Sequence, residues 1–208
     1  MMGSDWRWLC AALLIACLAC FAWAMRKFFT KPAGETGGMK IIQLCGSIAA
    51  VAQFFGLLAA RDIPADRGLL AVALYIAALG LFWRTLQAAS RATFSAAFSP
   101  DTPAALVDQG PYRFVRHPFY TSYMLVWLAA PIATGRWYLV PTLIMMLAIY
   151  LRAAAVEEQK FAASPLADAY DAYRFRTGSF IPNPVKLART FRREITEQNA
   201  TGLAQPRA

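Results

Sequence analysis

Charge is scarce in this chain, and histidine nearly absent. Asp, Glu, Lys and Arg make up 16% of 208 residues, while 58% are hydrophobic and mean hydropathy is +0.40. A soluble domain carries roughly 25% charged residues. The deficit argues against a soluble globular domain and for a membrane protein. One histidine, His117, and four cysteines, Cys10, Cys17, Cys20 and Cys45, supply no clustered metal-ligand set and no disulfide framework. Cys17 and Cys20 form a C-x-x-C, but all four cysteines lie in apolar runs, where a thiol packs as a small hydrophobe. Acidic residues number 12 against 21 basic ones, giving a net charge of +9. The basic residues fall between and after the apolar runs, the pattern of cytoplasmic loops, so neither nucleic acid nor a metal is an expected partner.

What is present is long hydrophobic sequence. A membrane helix needs about 20 apolar residues. Runs at 8–25, 41–60, 68–90, 119–134 and 138–156 qualify, the fourth being short, with Pro131 weakening its last turn. Gly135-Arg136 leaves room only for a tight turn, so the last two runs form an antiparallel helical hairpin. The expected fold is an all-α polytopic integral membrane bundle of about five transmembrane helices, with a C-terminal hairpin and a cytoplasmic tail. Its divisions are 1–67 for helices 1 and 2, 68–184 for a core with a loop, and 185–208 for the tail.

Basic residues set the orientation. Arg26, Lys27, Lys31 and Lys40 follow the first run. Arg91, Arg113 and Arg116 precede the fourth, and the tail is rich in Lys and Arg. Only Arg7, Arg61, Arg67 and Arg136 fall on the other side. The positive-inside rule places the amino terminus outside and residues 110–120 and 157–158 at the cytoplasmic face of a membrane, a bacterial inner membrane by the chain's character. Ala22-Trp23-Ala24 offers a signal-peptidase-like site, but the basic cluster follows the run rather than preceding it, which favours a retained span. Residues 91–118 read as a loop turning at Gly110-Pro111. Beyond residue 185, Leu187, Phe191 and Ile195 recur beside Lys186, Arg189, Arg192 and Arg193, as in a basic amphipathic helix for an anionic surface; a disordered tail is the competing reading.

Two segments carry chemistry. The first is Gly110-Pro111-Tyr112-Arg113-Phe114-Val115-Arg116-His117-Pro118-Phe119-Tyr120. Pro118 in a first helical turn leaves neighbouring backbone N–H groups free for an anionic group. The second is Glu157-Glu158, ending the fifth run, where two carboxylates meet an unfavourable helix dipole. One of them turned inward could hold a cation or ribose hydroxyls; both turned outward would be ordinary interfacial glutamates. Arg84 and Arg152, inside runs three and five, either snorkel to the surface or hold a carboxylate on the acceptor.

These segments, the hairpin between them, and Tyr170, Tyr173, Arg176-Thr177 and Phe180-Ile181-Pro182 follow one another in an order that resembles the isoprenylcysteine carboxyl methyltransferase family. The carboxyl-terminal core of that family is similar to the phospholipid N-methyltransferases. The resemblance spans about residues 80–184. It implies an integral membrane methyltransferase that uses S-adenosylmethionine in a cytoplasmic-facing pocket. By motif, His117, Pro118 and Tyr120 line that pocket, Tyr112, Val115 and Arg116 lie beside it, and Glu157 and Glu158 help hold the cofactor.

Methyl transfer from a sulfonium is an in-line displacement, so the enzyme chiefly positions its reactants. The expected acceptor is a lipophilic or prenylated molecule in the membrane lipid, most readily a carboxylate. A carboxylate is already ionised near neutral pH and needs no base; Arg84 and Arg152 would bind it, with Arg152 and Glu157 as catalytic groups. An amine acceptor must lose a proton, making Glu157, Glu158 or His117 the base. A nicotinamide-dependent lipid reductase and a non-enzymatic transporter or scaffold are the alternatives.

Overall fold

The computed structural model describes residues 5–28, 37–89, 105–186 and 188. Five long helices run through it: α1 (Asp5–Phe28), α2 (Gly37–Ala59), α3 (Ala65–Ala89), α4 (Pro118–Thr134) and α5 (Val140–Ala162). A short α6 (Ala167–Arg176) follows, and single 3-10 turns occupy Gly110–Arg113 and Trp137–Leu139. Among the described residues there is no strand, only one isolated bridge between Val115 and Gly178. The protein is thus an all-α bundle. Helices α1, α2, α3 and α5 are long and apolar enough to cross a membrane, which makes it an integral membrane protein. At 17 residues α4 is shorter, about 26 Å at 1.5 Å per residue.

Small residues at helical spacing bring the helices together. α1 buries Cys10, Leu14, Cys17, Phe21 and Ala24, a stripe at three- and four-residue steps. α3 buries Gly68, Ala71, Tyr75, Ala78, Phe82 and Thr85 on one face, and α4 answers with Ser122, Val126, Ala129, Ala130 and Ala133. Without a hydrophobic driving force between helices in lipid, close approach of small residues carries the packing. Pro131, expected to weaken the last turn of α4, does not interrupt the helix. The helix runs on to Thr134 and is stopped at Gly135, whose φ of +63° is the left-handed C-cap conformation. The chain then turns at once into α5, giving the hairpin expected from Gly135-Arg136.

Polar ties fix three helices to one another. The Gln53 amide of α2, fully buried, donates to the Trp127 carbonyl of α4 at 2.9 Å and to the Thr142 hydroxyl of α5 at 3.1 Å. At one end of the bundle the Arg136 guanidinium donates to the Ala59 carbonyl at 2.8 Å, joining the α4–α5 turn to α2. α5 also extends beyond its apolar run. Glu157 and Glu158 lie inside the helix, short of its end at Ala162, rather than terminating it. The unfavourable dipole expected of them is correspondingly weaker, because it is confined to the last turn. Residues 184–186 are helical; Leu187, Arg189, Phe191, Arg192, Arg193 and Ile195 of the expected amphipathic tail lie outside the described residues.

Candidate active site

The candidate site lies at the end of the bundle opposite Arg136, where α4 begins and α5 finishes. Spacing on α5 explains how it is reached. Met146, Tyr150, Ala153 and Ala154 are the inward face, and Glu157 continues it at seven residues from Tyr150, two turns on. Glu158 follows next on the helix, so the two carboxylates straddle whatever faces them. That group is His117. Its Nε2 lies 3.0 Å from Glu158 Oε1, and its Nδ1 lies 3.5 Å from Glu157 Oε2. The Tyr120 hydroxyl, one turn into α4, donates to Glu157 Oε1.

Arg116 completes the cluster from the preceding position. Its Nε lies 3.0 Å from Glu158 Oε1, and its Nη1 donates to the Thr177 carbonyl at 2.9 Å. Arg174 Nε approaches Glu158 Oε2 at 3.9 Å. The segment 177–180 is bound across this loop like a strap. Arg116 N–H donates to the Gly178 carbonyl at 2.9 Å, His117 N–H to the Ser179 carbonyl at 3.1 Å, and Gly178 N–H to the Phe114 carbonyl at 3.1 Å. The Thr121 hydroxyl donates to the Phe180 carbonyl at 2.8 Å. Below the strap, the buried Tyr173 hydroxyl donates to the Tyr112 carbonyl at 2.8 Å, so α6 is locked to the 3-10 turn.

The His117 ring is buried, which alone disfavours its charged form. Hydrogen bonds to Glu157 and Glu158, and their negative charge, outweigh that, and its pKa rises above the ordinary histidine value. The geometry says why. A neutral imidazole has one N–H, but here both nitrogens face carboxylates, so only the imidazolium satisfies both. Glu157 keeps 31% of its side chain exposed, against 20% for Glu158 and 6% for His117. Glu157 is therefore the carboxylate open to an incoming group. Flat rings surround it. His117 and Tyr120 stack at 5.7 Å between centroids, Tyr120 and Tyr150 at 5.2 Å, and Phe180 stands 5.6 Å from His117.

Of the residues singled out in the sequence, Tyr112, Val115, Arg116, His117, Pro118, Tyr120, Glu157 and Glu158 come together here. Tyr112, Val115, His117, Pro118 and Tyr120 are buried. Arg84 and Arg152 do not join them: both are exposed. Arg152, five residues before Glu157, lies about 140° around α5 at 3.6 residues per turn. Tyr150, Arg174, Thr177 and Phe180 are part of the site's framework, and of these Tyr150 and Arg174 carried no motif. Tyr150 had a usable signal in its seven-residue spacing to Glu157. Arg174 had none, since only the fold of the strap brings it near.

A family model described as phospholipid methyltransferase matches residues 67–164. The chain is a methyltransferase. The matched stretch takes in α3 from Arg67 onward, the 3-10 turn at 110–113, the whole α4–α5 hairpin and every member of the carboxylate cluster except those from α6 and the strap. It is the broader family that matches, not the narrower carboxyl methyltransferases that the motif order resembles. A comparison with curated proteins finds no match.

Proposed function

We propose that the protein transfers a methyl group from S-adenosylmethionine to the amine headgroup of a membrane lipid. The observation that carries the reading is Glu157, a carboxylate held by Tyr120 and His117 with one edge open. The surrounding side chains fit such a cofactor. Carboxylates and the faces of tyrosine rings attract a cation, and S-adenosylmethionine presents two, its sulfonium and its amino group. Bound there, it supplies an electrophilic methyl group. The chain's own residues do the rest. Glu158 holds Arg116 and His117 in place, the rings of Tyr120 and Phe180 keep water from the reacting centre, and Glu157 takes the proton that a headgroup amine must shed before it attacks. The proton then leaves through the exposed edge of Glu157. Positive-inside charge supports placing this end at the cytoplasmic face, where donor and lipid both have access.

A carboxylate acceptor is the second reading, favoured by the ordered motifs shared with the isoprenylcysteine carboxyl methyltransferases. It needs a free cation. Arg116 is engaged by Glu158 and the Thr177 carbonyl, and Arg84 and Arg152 lie off the cluster. The two readings separate on one product. Purified protein in vesicles, given S-adenosylmethionine with a radiolabelled methyl group and a panel of lipids and prenylated cysteine, should place alkali-stable label in an aminophospholipid. Label released as volatile methanol by alkali would mean an ester and a carboxylate acceptor. Calorimetry on wild type beside His117→Ala and Glu158→Ala tests the cofactor: micromolar binding lost in both variants is expected, and no binding by folded wild type overturns the proposal.

A further inference from the structure

Within residues 174–186, three large apolar side chains stand exposed at the site end of the molecule, outside the membrane-crossing helices. Phe175 is 77% exposed, Ile181 78% and Val185 59%. They lie within one folded unit. The Lys186 ammonium donates to the Arg174 carbonyl at 2.9 Å and to the Thr177 carbonyl at 3.3 Å, pinning residues 183–186 back onto the end of α6. Charge is divided along the same unit. Asp168 and Asp171 occupy the beginning of α6, whereas Arg174, 59% exposed, and Arg176, 51% exposed, flank Phe175 at its end. Arg176 is 3.9 Å from Asp108, an exposed pair worth little.

The level of this unit is fixed by its bonds to α4. The Phe180 carbonyl accepts from Thr121, and the Phe180 ring packs on His117 and Tyr120. Ile181 therefore stands beside the first turn of α4, at the depth where apolar helix surface begins. Clustered exposed apolar groups mark an interaction surface. Apolar groups interleaved with arginines at the edge of a hydrocarbon layer suit a surface of anionic headgroups. We infer that residues 174–186 form a seat on the anionic face of the bilayer: Phe175, Ile181 and Val185 enter the headgroup layer, Arg174 and Arg176 meet lipid phosphates, and the acidic beginning of α6 points to water. This goes beyond the methyl-transfer reading and does not depend on it.

The test places an environment-sensitive fluorophore on cysteines at positions 168, 175, 181 and 185, one at a time, in the full chain with its native cysteines replaced by alanine and reconstituted in vesicles. In phosphatidylcholine containing phosphatidylglycerol, probes at 175, 181 and 185 should shift to the blue, resist aqueous iodide and be quenched by spin-labelled lipid, more than in phosphatidylcholine alone. The probe at 168 should stay open to iodide in both. Equal iodide access at all four positions overturns the seat, and equal shielding in the two bilayers overturns its preference for anionic lipid. Shielding that appears in detergent and grows with protein concentration would assign the surface to a protein instead. Amide exchange over 174–186 in the unmutated chain, slower in the anionic bilayer, is the check free of labels; no difference between bilayers counts against the proposal.

Discussion

His117 is the only histidine in the chain, so its titration can be isolated. Its pKa in the folded protein is raised by Glu157 and Glu158 above the unfolded value of about 6.5. A raised value means the folded state binds the proton more tightly. The stabilisation is fully present below about pH 6.5 and fades as pH climbs through the higher folded value. The thermal midpoint of wild type in detergent should therefore decline from near neutrality into the alkaline range. In His117→Gln, which keeps a polar ring-sized group but cannot titrate, that decline should flatten. Parallel curves would remove the imidazolium from the account. The two glutamates should separate as well. Glu158 neutralises Arg116, whose side chain is only 9% exposed, so Glu158→Gln leaves a nearly buried cation unpaired and should cost about 1–3 kcal/mol of stability, less than a fully buried pair because Glu158 is partly open. Glu157→Gln removes part of the imidazolium's stabilisation but leaves no nearly buried cation unpaired, so it should lower the midpoint less than Glu158→Gln while weakening S-adenosylmethionine binding. Thermal melts and calorimetry on the two variants side by side decide it; equal destabilisation would contradict the division of labour.

Among the elements, the strap at 177–180 matters most for its size. A Cβ at Gly178 would collide with the Ile181 carbonyl oxygen, a backbone atom that cannot swing away. Gly178→Ala should therefore open the tight turn and strip the bonds from Arg116 and His117 N–H, at about 1–3 kcal/mol for overpacking. Limited proteolysis should then cut near 177–183 faster than in wild type, with cofactor binding reduced; an unchanged digestion pattern would deny the strap its role. Nothing in the hydropathy of 177–180 announced this. The five helices, by contrast, were legible, because crossing a membrane imposes a length and composition that a window can read. Their ends were not. α1 carries Arg26 and Lys27 inside its last turn, and α5 runs past Glu157 and Glu158, since a helix keeps its backbone bonds whatever side chains it meets at the water boundary. Local motif identified His117 and the acidic pair, while the outward direction of Arg84 and Arg152 depended on which helix face the bundle leaves uncovered. The Tyr150 stack rests on α4 packing against α5, and the Gln53 clamp on three helices meeting, neither of which one helix's periodicity contains.

At the scale of the whole molecule, the course of the chain sets which helix ends lie together. α1 starts beside α3's beginning, with Trp6 packed on Gly68, and α2's end meets the α4–α5 turn through Ala59 and Arg136. Gly110 meets Ala88 at the other end, beside the carboxylate cluster. α4 therefore traverses the bundle although it is shorter than the other four, and five traverses place residue 5 and α6 at opposite ends. If α4 crosses the bilayer as it crosses the bundle, residue 5 and α6 face opposite compartments. Its short length is tolerable because a helix covered by protein need not match the hydrocarbon by itself, and a bilayer accommodates a few ångströms of mismatch at modest cost. By the positive-inside rule, the basic surplus at the carboxylate end then predicts that this end faces the cytoplasm. Epitope tags at the amino terminus and after residue 208, probed by protease in intact spheroplasts, should report the first accessible and the second protected. Tags on the same side would mean that α4 does not span, and would break the link between the bundle's two ends and the membrane's two faces. Both tags reversed would keep five crossings but turn the carboxylate cluster away from the cytoplasm, where S-adenosylmethionine is supplied, and so remove the donor from the proposed reaction.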